Sequence, residues 1–196
     1  MTKRPAQALL VIDMVQDFLP KVRSKGRREL IAATNDLTRM VRGHSGTVIW
    51  VRQEFRPDLS DAFLNMRRTG VAITIAGTPG SQLDPELIAG PEDRTVVKRR
   101  YSAFFETDLD RLLLPFAGTS LIIAGINTHA CVRMTAIDAY QRDWDVILAS
   151  DCVASYDPRH HAISLEYMDG KIARALSNPE IGSWLAAGEG NSADSR

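Results

Sequence analysis

Short apolar runs alternate along this chain with longer amphipathic stretches, and that alternation predicts an α/β fold: a parallel sheet covered by helices. The run "ALLVID" (Ala8 to Asp13) reads as a buried strand. "RRELIAATNDLTRMVRG" (Arg27 to Gly43) places Leu30, Ile31, Leu37, Met40 and Val41 on helical spacing and stops at a glycine. Further strands are predicted at Thr47 to Val51, Thr95 to Lys98, Ser120 to Gly125 and Asp145 to Ser150, with a sixth within Gly170 to Ser177. Cys131 to Arg142 reads as a helix, and so does the segment after Ser177, with Asn178 as its cap and Pro179 at its first position. Between the second and third strands, Arg52 to Arg94 holds one short helix, Asp61 to Arg68, among Gly- and Pro-rich loops. Such an excursion serves as a pocket wall or lid, and equally fits a surface loop or an oligomer contact. Residues 1–186 form one domain on this reading, and the small polar tail, 187–196, is expected to be disordered.

Composition narrows the partners more than the fold. The chain has 196 residues, 44% of them hydrophobic and 24% charged, as in an ordinary globular domain. Lys and Arg together number 24, as do Asp and Glu, so nothing argues for nucleic acid or an anionic membrane. No apolar run approaches the ~20 residues of a membrane span. The first apolar run stops at Asp13, too soon for a signal peptide, so a cytoplasmic protein is expected. Cys131 and Cys152 are the only cysteines and lack CxxC or metal-ligand spacing.

Ligands of open parallel sheets bind beyond the carboxyl ends of the strands. Strand one ends in Asp13, strand three in Lys98, and strand four runs through "GINTHACV" to Cys131. Each residue has a duller explanation. Asp13 suits a helix cap, Lys98 a solvated charge in "KRRYSAF", and Cys131 a small core residue. Their common edge favours chemistry, because an acid, a cation and a thiol converge there. His129 sits two residues from Cys131, about 200° away around a helix, and so reads as a turn or pocket-wall residue rather than a base. His44, His160 and His161 show no ligand spacing, and Cys152 reads as a buried structural residue.

Three stretches resemble the isochorismatase-like cysteine hydrolases, in the amidohydrolase branch related to N-carbamoylsarcosine amidohydrolase and nicotinamidase. They are "VIDMVQDF", "VVKRRYSAF" and "GINTHACVRMTAIDA", in the family's order over nearly the whole chain. One departure is Val15, where family members often carry Gln. The resemblance implies a three-layer Rossmann-like fold around a six-stranded parallel sheet and a triad of Asp13, Lys98 and Cys131. It also implies a cis peptide joining Ile126 and Asn127 that shapes an oxyanion hole with the amides of Asn127 and Cys131. The implied reaction is hydrolysis of a small amide, carbamoyl or ureido compound through a thioester. At a helix start the Cys131 thiolate is expected to be favoured, with a lowered pKa and fast alkylation near neutral pH.

Nicotinamidases of this family bind metal through a "DxH" after strand two. Here Gln53 and Phe55 occupy those places, so the resemblance implies no metal and no cofactor. Arg52, Gln53, Glu54, Tyr101 and His129 are the candidate substrate-binding residues. Family resemblance also implies a homodimer or homotetramer. Two other readings stay open: isochorismatase-type vinyl-ether hydrolysis, which does not need the cysteine, and a non-catalytic binding protein on the same fold.

Overall fold

The computed structural model describes residues 6–187. Six strands form one sheet in the order β3-β2-β1-β4-β5-β6, and every pairing is parallel. The strands are β1 (Ala8–Ile12), β2 (Thr47–Gln53), β3 (Arg94–Lys98), β4 (Ser120–Ile126), β5 (Asp145–Ala154) and β6 (Arg174–Leu176). The helices are α1 (Arg27–Gly43), α2 (Leu64–Thr69), α3 (Leu109–Leu113), α4 (Arg133–Tyr140), α5 (Pro158–Met168) and α6 (Asn178–Ala187).

Both faces of the sheet are covered, which is why β1 and β4 are buried at every position instead of alternating. On one face Leu10, Ile12, Ile49, Val51, Leu121 and Ile123 pack with Leu109 and Leu113 of α3, Ala136 and Ala139 of α4, and Met168 of α5. On the other, Leu9, Val11, Val48, Trp50 and Ile122 meet Leu30, Ile31, Leu37 and Val41 of α1 and Ile181 and Leu185 of α6. The chain moves outward from β1 to β3 and then restarts on the other side of β1 with β4. The gap between the ends of β1 and β4 is therefore the point where strand order reverses, the usual place for a ligand in such sheets.

The elements differ from the sequence pattern where local hydrogen bonds intervene. Strand β2 continues to Gln53, and β5 runs to Ala154 through a register shift opposite β4. The sixth strand shrinks to Arg174–Leu176, because the amides of Lys171, Ile172 and Ala173 all turn back onto the Met168 carbonyl. The short helix starts at Leu64 rather than Asp61, whose carboxylate instead accepts from Arg56 N and Arg99. Asn178 is not the cap of α6: its side chain donates to the Ala33 carbonyl and accepts from Cys152 Sγ. Ser177 precedes the helix; its amide and hydroxyl both donate to Glu180, and the amide bond is one half of a capping box. Helix α6 reaches Ala187, and the remainder of the tail expected to be disordered lies outside the described residues.

The segment from 54 to 93 is fastened to the body along its length. Val15 bridges to Leu83, Asp17 Oδ2 accepts from Thr74 N at 2.6 Å, and Asp17 N donates to Gly80 O. Farther on, Arg27 pairs with Asp84 and Arg42 with Asp93, each at 2.6 Å, pinning the segment along α1. Among the described residues no helix is long and apolar enough to cross a membrane.

Candidate active site

Asp13, Lys98 and Cys131 meet at the point of strand reversal. Asp13 follows the last residue of β1 with a φ of 55°, a conformation that Asp tolerates better than most residues. Its amide donates to Val51 O, and its Oδ1 accepts from Gln53 N at 2.7 Å. It caps no helix: the short 3₁₀ helix Leu19–Lys21 starts after Phe18, and α1 starts at Arg27 after Gly26. The carboxylate is instead bound to the end of β2, and its Oδ2 faces the other two groups.

Lys98 ends β3 directly opposite Gln53 in the strand register. Its Nζ lies 2.7 Å from Asp13 Oδ2, 3.4 Å from Cys131 Sγ and 3.1 Å from the Arg100 carbonyl. The ammonium thus donates to Cys131 Sγ and the Arg100 carbonyl and is ion-paired with Asp13 Oδ2, whose contact is one of charge rather than an aligned hydrogen bond. Asp13 and Lys98 are fully buried, and Cys131 is only 4% exposed. Burial alone favours a neutral amine, but Asp13 and then Cys131 outweigh it and hold Lys98 above its ordinary range.

Cys131 lies in a π turn, Thr128–Val132, wedged between β4 and α4. The turn begins where Gly125 lets β4 approach β1 and the Ile126–Asn127 peptide is cis. The Asn127 carbonyl accepts from both Ala130 N and Val132 N, closing the turn. The expected low pKa of Cys131 is not what this environment gives. Burial pushes the thiol up to about 12; Lys98 pulls it down, while Asp13 adds to the rise. Desolvation here exceeds what Lys98 returns. Cys152 is buried too, and its thiol is also pushed up to about 12 by burial.

The candidate substrate residues divide. Gln53 reaches the site through its backbone amide on Asp13. Glu54 pairs with Arg52 at 2.6 Å and accepts from Ser81 Oγ. Tyr101 is half exposed and leans on Phe63, with ring centroids 5.1 Å apart. His129 turns away from the triad: Nδ1 meets Ser155 Oγ at 2.6 Å and Nε2 meets Tyr156 OH at 3.2 Å. Burial, then His160, lower its pKa. Phe55, at one of the two places where a metal-binding branch carries ligands, packs with Ala62 and Met66 in a small core of its own.

Several supporting residues lay unremarked in the sequence. Asp17 sits within the quoted "VIDMVQDF", yet its role is to hold Thr74 and the wall beyond it. Thr128 Oγ1 meets His161 Nδ1 at 2.8 Å, tying the π turn to α5. Thr135 bonds both Cys131 O and Ala103 N. Asp17, Thr128 and Thr135 all fall within the stretches that carry the family resemblance, which gave them no role of their own.

Comparison with known proteins bears on the family and the fold. The isochorismatase domain profile matches residues 7–180. A probable inactive nicotinamidase of Arabidopsis thaliana is 34% identical over 81% of this chain and 85% of its own length. The chain spans 53% to 66% of the length of phenazine and enterobactin biosynthesis proteins that it also matches in Pseudomonas and Escherichia coli. An isochorismatase family protein from Desulfovibrio vulgaris superposes with a TM-score of 0.83 at 25% identity, covering 93% of this chain and all of that one. The N-carbamoylsarcosine amidase of Thermoplasma acidophilum does so with a TM-score of 0.74 at 25% identity, over 89% of this chain and 97% of its own. The chain belongs to the isochorismatase family.

Proposed function

We propose that this isochorismatase-family chain is a cysteine-dependent hydrolase of a small amide, carbamoyl or ureido compound. The observation that carries the reading is the placement of Lys98 Nζ, 2.7 Å from Asp13 and 3.4 Å from Cys131, among buried side chains. A buried ion pair adds little stability over apolar packing, so a charge pair and a thiol brought together at a strand-reversal point speak for chemistry.

The proposed reaction begins with a neutral thiol. As Sγ attacks the substrate carbonyl carbon, its proton passes to Asp13, and the Lys98 ammonium compensates the charge of whichever partner is anionic. The carbonyl oxygen takes up the electron pair and accepts from the amides of Asn127 and Cys131. Collapse of this intermediate breaks the C–N bond, the departing nitrogen takes the proton from Asp13, and ammonia or an amine leaves. A thioester on Cys131 remains. Water then attacks it, giving a proton to Asp13, and the acid departs as Sγ recovers that proton.

Ammonia release from a panel of small primary amides, N-carbamoyl compounds and ureido compounds tests this reading, with a vinyl ether of the isochorismate type as the contrasting substrate. Release from at least one C–N substrate, lost in Cys131→Ala, is the expected result. Cleavage of the vinyl ether alone, undiminished in Cys131→Ala, would overturn it.

A further inference from the structure

The Thr135 hydroxyl joins the two segments that carry the thiol and the ammonium. It is fully buried in the first turn of α4. It donates to the Cys131 carbonyl at 2.7 Å and accepts from Ala103 N at 3.0 Å. A hydroxyl has one proton, so donation to Cys131 leaves its lone pairs for the Ala103 amide, and both roles are fixed. Bonding of a helical threonine to the carbonyl four residues back is common. The bond from Ala103 is different, since it crosses 32 positions of sequence to reach the stretch that follows Lys98.

That stretch has a second hold on the site, because the Arg100 carbonyl accepts a hydrogen bond from Lys98 Nζ. Residues 99–103 thus steady the ammonium at one end and are pinned to the backbone of Cys131 at the other. We propose that Thr135 is a positioning residue whose hydroxyl sets the spacing between Lys98 Nζ and Cys131 Sγ. The inference rests on the cysteine-hydrolase reading of the site. Without the hydroxyl, the Ala103 amide loses its partner, the loop shifts, and the ammonium moves with the Arg100 carbonyl. Turnover suffers more than binding, because the displaced group touches the nucleophile.

Two variants test it. Thr135→Val keeps the size and removes the hydroxyl, while Thr135→Ser keeps the hydroxyl and removes a methyl. Two readouts apply to each: kcat and KM on the amide found by ammonia release, and the pH dependence of Cys131 alkylation by iodoacetamide, followed by peptide mapping. The valine variant, still melting cooperatively, should lose about 10- to 100-fold in kcat with KM changed by less than about threefold. Its alkylation profile should move about one unit to higher pH, so that Cys131 labels about tenfold more slowly at a given pH. Serine should restore both to within about threefold of wild type. Wild-type kcat and labelling in Thr135→Val, or a serine variant no better than valine, would overturn the proposal. If Thr135→Val does not fold, Thr135→Ala makes the same comparison without placing a methyl against the Ala103 amide. A wild-type protein inert toward every amide would count against the hydrolase reading, and the alkylation profile, which needs no substrate, would still decide the role of Thr135.

Discussion

Gly125 in β4 lies so close to Ile12 in β1 that a Cβ at position 125 would stand 2.1 Å from the Ile12 carbonyl oxygen and 2.5 Å from its nitrogen. The obstacle is backbone, and the φ of Gly125 is 113°, where other residues are strained. This contact sets how near the end of β1, with Asp13, comes to the turn that carries Cys131.

Gly125→Ala should therefore destabilise the protein by at least about 3 kcal/mol, since overpacking against main chain cannot be relieved by a rotamer change. Urea unfolding of the two proteins measures it. Equal midpoints would show that the two strands separate at little cost.

The ammonium of Lys98 is matched to its site by two hydrogen bonds, to Cys131 Sγ and the Arg100 carbonyl, and by its ion pair with Asp13. Lys98→Met should abolish turnover and cost roughly 3–5 kcal/mol, because it leaves Asp13 buried without its counter-charge. Lys98→Arg should lose at least about 100-fold in kcat, since a planar guanidinium cannot reproduce these contacts from one atom. Steady-state kinetics beside thermal melts separates the two effects. Full activity in the arginine variant would mean that the position needs charge alone.

Much of this was legible in the chain. The buried strands β1 and β4 announce themselves as continuous apolar runs, and the three reactive residues fall at strand ends that the topology brings to one edge. What the sequence hid was the depth of the site. A cysteine after a strand and before a helix suggests an activated thiolate, but the pKa depends on how many neighbours exclude water, and that depends on the whole fold. The π turn was hidden for a related reason: the helix predicted from Cys131 begins only at Arg133, because the Asn127 carbonyl bonds both Ala130 and Val132. Glu54 and Tyr101 looked like free pocket residues because Arg52 and Phe63, their partners, are not marked as such by spacing.

A second ion pair lies at the opposite end of β2 and bears on stability. Asp93 accepts from Arg42, from Gly90 N at 2.7 Å and from Trp50 Nε1 at 2.7 Å. Burial raises its pKa, but Arg42 and these donors outweigh burial and hold the carboxyl below its ordinary value of 3.8. A carboxylate with a depressed folded pKa adds stability that is present above the unfolded pKa and lost as pH falls through the folded one. Asp93→Asn should cost about 2 kcal/mol at pH 7, and the gap between the two proteins should narrow as pH falls below 3.8 and through the lower folded pKa. Urea midpoints at pH 7, 5 and 3 follow it. A gap independent of pH would assign the loss to shape rather than charge.

The central claim is that Cys131 carries the acyl group. Alkylation reports the reactivity of each thiol and not which one takes the acyl group, so it does not test this claim. The direct measurement is rapid quenching of wild type during turnover of an ammonia-releasing substrate, then intact-mass analysis and peptide mapping. The account predicts an adduct of the acyl mass on the peptide containing Cys131, absent in Cys131→Ala, whose kcat should fall by about 10³-fold or more, whereas His129→Ala retains most of the activity. An adduct on Cys152, or a Cys131→Ala variant that turns over as wild type does, would contradict it.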